Sequence, residues 1–221
     1  MSNLLVLGHR GDRKSHDDNT IEGIKSAFDK GADGVEIDVY YQPNKGVYLT
    51  HKFLHDKNLD YPKLEEVIET FSDKGKIQIE IKPPEIETVK AVVDLVYKHK
   101  LENFEITSGI LPLLRYIREL APKANIGMIT KPYLIEDWMT EEFGDYLMLS
   151  YLKLTGASTI WLDKPEGFWN KDRVERFHKK GYKIGSHLPT DSKEDYEKLL
   201  SLGIDSCTAD DLNVLKWRAT S

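Results

Sequence analysis

What most constrains this chain is an alternation. Short apolar runs rich in β-branched residues recur as "LLVLG", "GVEIDVYY", "IQIEIK", "FEITS", "NIGMIT", "STIWL", "YKIGS" and "IDSCTA", each with the composition of a strand buried on both faces. Between most of them lie segments of helical period. In "TIEGIKSAFDKG", Ile21, Ile24, Ala27 and Phe28 share one face and Gly31 stands where a helix can end. "PPEIETVKAVVDLVYKHK" and "SKEDYEKLLSLG" repeat the pattern. Within "PYLIEDWMTEEFGDYLMLSYLKLTGA", the run "YLMLSYL" reads as helix, because "STIWLD" follows as the better strand. Strand followed by helix, about eight times over, predicts an α/β fold of the (β/α)8 TIM-type barrel kind, with an open doubly wound sheet as the alternative. No low-complexity tract or Gly/Ser/Pro linker divides the chain, so residues 1–221 are expected to form a single barrel domain.

At 221 residues and 40% hydrophobic content, the chain can bury a substantial core. A formal net charge of -6 gives no general attraction for nucleic acid or an anionic membrane. An anionic ligand must then be held by local cations, and the expected partner is a small molecule. The single cysteine, Cys207, excludes an intramolecular disulfide and a cysteine-rich zinc site, which fits a cytoplasmic protein. "MSNLLVLG" lacks the basic leader of a signal peptide and no run has the length to span a bilayer, so no stable membrane anchor is expected.

A barrel carries its chemistry at the C-terminal ends of its strands, and polar residues gather there in this sequence. The first strand ends in His9-Arg10-Gly11, the second carries Glu36 and Asp38, the extended run "GVYLTH" ends in His51, and the third carries Glu80 and Lys82. Residues two apart in a strand share a face, so Glu36 pairs with Asp38 and Glu80 with Lys82. Val35, Ile37, Val39, Ile77, Ile79 and Ile81 then face the helices while the charged set points into the barrel. Taken singly, these pairs fit an edge strand or a surface ion pair. Converging on one barrel mouth, three carboxylates repel one another unless protonated or bridged, and they form a reasonable site for one divalent metal ion, Mg²⁺, Ca²⁺ or Mn²⁺. Arg10 and Lys82 suit a phosphate group beside it. His9 and His51 supply a proton donor and a proton acceptor near neutral pH. Together these are the parts of phosphodiester cleavage. The remaining histidines, His16, His55, His99, His178 and His187, are expected to be structural or at the surface.

The series "HRG", "DDNTIEGIKSAFDKGADGVEIDV", "PKLEEVIE", "IEIK", "ITSGILPLLRYIRELAPKANIGMIT" and "LGIDSCTADD" resembles the glycerophosphodiester phosphodiesterases in order and spacing over nearly the whole chain. The resemblance implies a TIM-type barrel, a divalent metal, and hydrolysis of a glycerophosphodiester to sn-glycerol 3-phosphate and an alcohol. Carried over to this sequence, it puts the catalytic histidines at His9 and His51, the metal carboxylates at Glu36, Asp38 and Glu80, and the phosphate-facing cations at Arg10 and Lys82. There are departures. The family's His-Asp pair is His51-Lys52 here, while His55-Asp56 lies slightly downstream and makes His55 the alternative second histidine. The family's Pro-Glu-Asn-Thr carries Asp18 here without the proline, and Asp18 or Asn19 can cap the following helix. The interval "HKFLHDKNLDYPKLEEV" is short where the family has an insertion, and "GSHLPTD" replaces an aromatic Trp-Thr-Val-Asn segment, so the preferred alcohol stays open. Two other outcomes stay open as well: a phospholipase D-like lyase that forms a cyclic phosphate, and a barrel that binds a phosphorylated ligand without catalysis.

Overall fold

The computed structural model describes residues 4–52, 61–130, 136, 138–163 and 169–220. The nine strands are β1 (Leu5–His9), β2 (Gly34–Gln42), β3 (Gly46–Leu49), β4 (Lys76–Ile81), β5 (Phe104–Ser108), β6 (Ile126–Ile129), β7 (Thr159–Leu162), β8 (Lys183–Ser186) and β9 (Ser206–Ala209). All but β3 are parallel neighbours in the order β1-β9-β8-β7-β6-β5-β4-β2. A further parallel pairing of β1 with β2, which sets His9 beside Glu36, closes the sheet on itself. That closure leaves the eight parallel strands without an edge, so the protein is a TIM-type barrel and the open doubly wound alternative falls away. Strand β3 hangs outside the ring as an antiparallel hairpin on β2.

A helix follows each barrel strand: α1 (Ile21–Asp29), α2 (Leu64–Phe71) after the hairpin, α3 (Ile86–Lys98), α4 (Leu111–Leu120), α5 (Glu141–Thr155), α6 (Lys171–Lys179), α7 (Lys193–Leu202), and a terminal 3-10 helix (Leu212–Thr220). The run "YLMLSYL" is helical within α5. Helix α1 is capped by neither Asp18 nor Asn19. Thr20 is its N-cap, its Oγ1 accepting from Gly23 N at 3.2 Å, and the two preceding residues are engaged in the site below.

The alternation along each strand sorts two cores. Val35, Ile37, Val39, Ile77, Ile79 and Ile81 join the large core between barrel and helices. Inside the barrel a separate small cluster of Leu7, Ile129 and Trp161 fills the space. The indole fits because glycines flank it: a Cβ on Gly185 would stand 2.4 Å from the Trp161 ring, and one on Gly127 would stand 2.7 Å from it. Trp161 Nε1 donates to Glu105 Oε2 at 3.0 Å, and Lys76 Nζ reaches the same oxygen at 2.7 Å. The indole N–H and the ammonium thus share one buried carboxylate oxygen. No described helix is long and apolar enough to cross a membrane.

Candidate active site

Strand register sets the first geometry. Parallel pairing places Asp38 of β2 level with Glu80 of β4, and Glu36 points inward one pleat deeper. Glu36 and Asp38 are fully buried, Glu80 nearly so, and one oxygen from each lies within 4.8 Å of the others. Burial, followed by the negative charges of Asp38 and Glu80, pushes the Glu36 carboxyl well above the usual range. Oε1 of Glu36 is buried without a hydrogen-bond partner, a costly arrangement for an acceptor unless something else meets it. Three buried oxygen donors, one of them unanswered, fit a hard divalent cation. A second acidic group among the described residues, Glu65, Glu69 and His99, differs in being partly exposed, with Lys98 Nζ already 2.6 Å from Glu65.

Two cations are drawn onto the triad. Lys82 Nζ lies 3.2 Å from Asp38 and 3.1 Å from Glu80. Burial alone would push its pKa down, but Glu80, Asp38 and Glu36 more than offset this and hold it up, so the ammonium persists. Arg10 reaches Asp38 Oδ2 with Nε at 3.0 Å and Asp18 Oδ2 at 2.7 Å. It does so from a left-handed backbone, φ 57°, followed by Gly11 at φ 93°. The double turn brings Arg10 N onto the Glu36 carbonyl at 2.8 Å and its Oε2 at 3.2 Å. Gly11 is needed in that turn: besides its positive φ, a Cβ there would meet the Gly23 carbonyl carbon at 2.7 Å. Sequence points both cations at a phosphate; in the structure they rest on the carboxylates.

Around this centre the fold adds groups that sequence reasoning missed. Asp210, at the end of β9, accepts from His9 Nδ1 at 2.6 Å, which leaves Nε2 of that ring facing Glu36 at 3.9 Å. Burial pushes the Asp210 carboxyl up, yet the hydrogen bond and charge of His9, with Arg13 and Arg10 nearby, bring it below the ordinary carboxylate range. Arg13 spans Asp210 at 3.1 Å and Asp18 at 2.8 Å. Asn19, also left-handed at φ 60°, clamps Asp38: its Oδ1 accepts from Asp38 N at 3.0 Å and its Nδ2 donates to Oδ2 at 3.1 Å. The signal for Asp210 was its place after a strand, the same rule that picked out His9.

His51 follows β3, and Thr50 N donating to the Asp38 carbonyl at 3.0 Å fixes the chain there. Its imidazole lines a pocket of 310 Å³ shared with Tyr40, Glu80, Lys82, Pro83 and Ile110. Burial lowers its pKa, with Lys82 and Arg10 reinforcing the shift against Asp38 and Asp18. The alternative histidine, His55, lies outside the described residues. Of the histidines set aside on sequence, His178 pairs with Asp205 at 2.8 Å and His99 with Glu65 at 2.9 Å, both away from the mouth. His187 differs: it is buried in the site, with Nε2 3.5 Å from Glu80 Oε2 and its ring 6.3 Å from that of His9.

Residues 9–41, the stretch that carries His9, Arg10, Glu36 and Asp38, match the model of the glycerophosphoryl diester phosphodiesterase family. A glycerophosphodiester phosphodiesterase of Caldanaerobacter subterraneus subsp. tengcongensis is 28% identical and aligned over 96% of each chain. Among solved structures, a glycerophosphodiester phosphodiesterase from Thermotoga maritima superposes with a TM-score of 0.77 at 23% identity, covering 98% of both chains. An Oleispira antarctica phosphodiesterase, solved with its product sn-glycerol 3-phosphate, does so with a TM-score of 0.80 at 20% identity, over 98% of this chain and 97% of that one. The likeness to this family therefore runs along nearly the whole chain.

Proposed function

We propose that this chain, similar along its length to the glycerophosphodiester phosphodiesterases, is itself a phosphoric diester hydrolase that converts a glycerophosphodiester into sn-glycerol 3-phosphate and an alcohol. The observation that carries the proposal is the buried triad of Glu36, Asp38 and Glu80, with an unanswered Glu36 oxygen, bordered by His9, Arg10 and Lys82. Glu36, Asp38 and Glu80 would hold one divalent ion, Mg²⁺, Ca²⁺ or Mn²⁺. When bound, that ion supplies positive charge against the oxygens of the reacting phosphate.

The chain's own groups do the rest. Arg10 and Lys82 offset the charge that grows on the phosphoryl oxygens. His9 and His51 divide the proton work. One takes the proton of the attacking water as its oxygen bonds to phosphorus, and the other gives a proton to the alkoxide as the phosphorus–oxygen bond to the alcohol breaks. Asp210 holds His9 by Nδ1, so that the Nε2 lone pair or proton faces the phosphate, the same division of labour by which a carboxylate orients a catalytic imidazole in hydrolase triads.

The test is turnover of glycerophosphocholine, glycerophosphoethanolamine and glycerophosphoglycerol with each of the three metals, followed by phosphorus NMR. The expected product is sn-glycerol 3-phosphate, lost on chelation with EDTA. A persistent cyclic phosphate would make the protein a lyase, and absence of turnover on all three substrates would overturn the proposal. Replacement of His9 by alanine should lower kcat about 10²–10⁴-fold, the usual scale for losing a general acid or base.

A further inference from the structure

His187 is a buried imidazole to which the mechanism above assigns no part. It follows β8 directly, and its main chain is pinned on both sides: its N–H donates to the Leu162 carbonyl at 2.8 Å and its carbonyl accepts from Thr208 Oγ1 at 2.9 Å. Those contacts fix the main chain at the point where the side chain enters the mouth. From there it touches two parts of the machinery. Nε2 stands 3.5 Å from Glu80 Oε2, while Lys82 holds the other oxygen of that carboxylate at 3.1 Å. The ring meets His9 edge-on, at 6.3 Å between centroids and 76° between planes, on a histidine that Asp210 already grips by Nδ1.

We propose that His187 is a positioning residue: it turns the Glu80 carboxylate toward Glu36 and Asp38 and braces the His9 ring, so that the triad is set before an ion or substrate arrives. The inference rests on the proposed hydrolase function. Its physical basis is that a carboxylate held at both oxygens loses little further freedom when it binds an ion, whereas one held at a single oxygen must be ordered by the ion itself. Groups that orient ligating carboxylates in this way typically contribute 10–100-fold in metal affinity or activity.

Two variants separate donor from ring. His187→Phe keeps a ring against His9 and removes the N–H toward Glu80; His187→Gln keeps an N–H and removes the ring. Each is first compared with the wild type by thermal melting. Mn²⁺ binding is then read by electron paramagnetic resonance of the free ion, and kcat and KM are measured on glycerophosphocholine. The expected result is that His187→Phe melts near the wild type, binds Mn²⁺ about 10–100-fold more weakly and loses kcat with KM little changed. His187→Gln is expected to recover most of the Mn²⁺ affinity. Wild-type Mn²⁺ affinity and kcat in His187→Phe would overturn the positioning role while leaving the hydrolase proposal standing. A wild-type protein that neither binds Mn²⁺ nor turns over a diester overturns both.

Discussion

At the scale of the residue, most of the site is a contest over two carboxylates. Asp38 receives Arg10, Lys82 and Asn19 together, while Glu36 keeps an oxygen with no partner. Asp210 is the residue whose contact with His9 bears most directly on chemistry, because it decides which nitrogen of that ring faces the mouth. Asp210→Asn should therefore lower kcat by about 10²-fold or more, since an amide can hold the ring in the wrong tautomer. KM and Mn²⁺ affinity should change little. Steady-state kinetics beside a metal titration check this, and an unchanged kcat would remove Asp210 from its orienting role. Asp210 was passed over on sequence, and His187 set aside as structural or at the surface, for one reason. Both stand at the ends of late strands, where a lone polar residue looks like any loop residue until the barrel closes and brings it to His9.

At the scale of the element, the barrel interior depends on matched sizes across neighbouring strands. Trp161 of β7 occupies space left by Gly127 of β6 and Gly185 of β8, and its indole N–H is satisfied by Glu105 of β5. Gly185→Ala forces a methyl into that ring and should cost about 1–3 kcal/mol, the scale of overpacking in a tight core. The clash also lies two residues before His187, on the strand that leads into it. Pairing the change with Trp161→Leu should recover part of the loss, because the two sites share one volume and their effects will not add. Denaturant unfolding of both single variants and the double variant measures the coupling; strict additivity would show that the indole does not set the fit.

At the scale of the whole molecule, the carboxyls pull stability in opposite directions with pH. Asp12, Asp18 and Asp210 sit below their ordinary values: burial pushes each up, but Lys30 and Ser26 on Asp12, Arg10 and Arg13 on Asp18, and His9 on Asp210 more than compensate. Their contribution is full above the unfolded carboxylate pKa of about 3.9 and is lost as pH falls through their lower folded values. Glu36 has the opposite sign, being raised by burial and by Asp38 and Glu80. Its contribution is full below the unfolded value of about 4.3 and is lost as pH rises through its folded pKa, where a third negative charge joins Asp38 and Glu80, and Lys82 and Arg10 offset it only in part. An ion on the triad competes with the Glu36 proton. The rise in Tm on adding Mg²⁺ or Mn²⁺ should accordingly be larger at pH 8 than at pH 5. Scanning calorimetry with metal and with EDTA at both values tests it, and a metal shift independent of pH would place Glu36 outside the site.

Sequence by itself determined the elements and the face each residue presents, because periodicity 2 and 3.6 are properties of the local backbone. That was enough to send Val35, Ile37 and Val39 outward and Glu36 and Asp38 inward, and to bring His9, Arg10, Glu80 and Lys82 to one end of their strands. Only the tertiary structure decided what those residues meet. Ring closure through β1 and β2 sets His9 beside Glu36, and the ends of β8 and β9 complete the mouth with His187 and Asp210. The left-handed turns at Arg10 and Asn19 carry their side chains onto Asp38 rather than into a helix cap. Contacts between residues as far apart as His9 and Asp210 depend on how every intervening strand packs, and no local pattern encodes that sum.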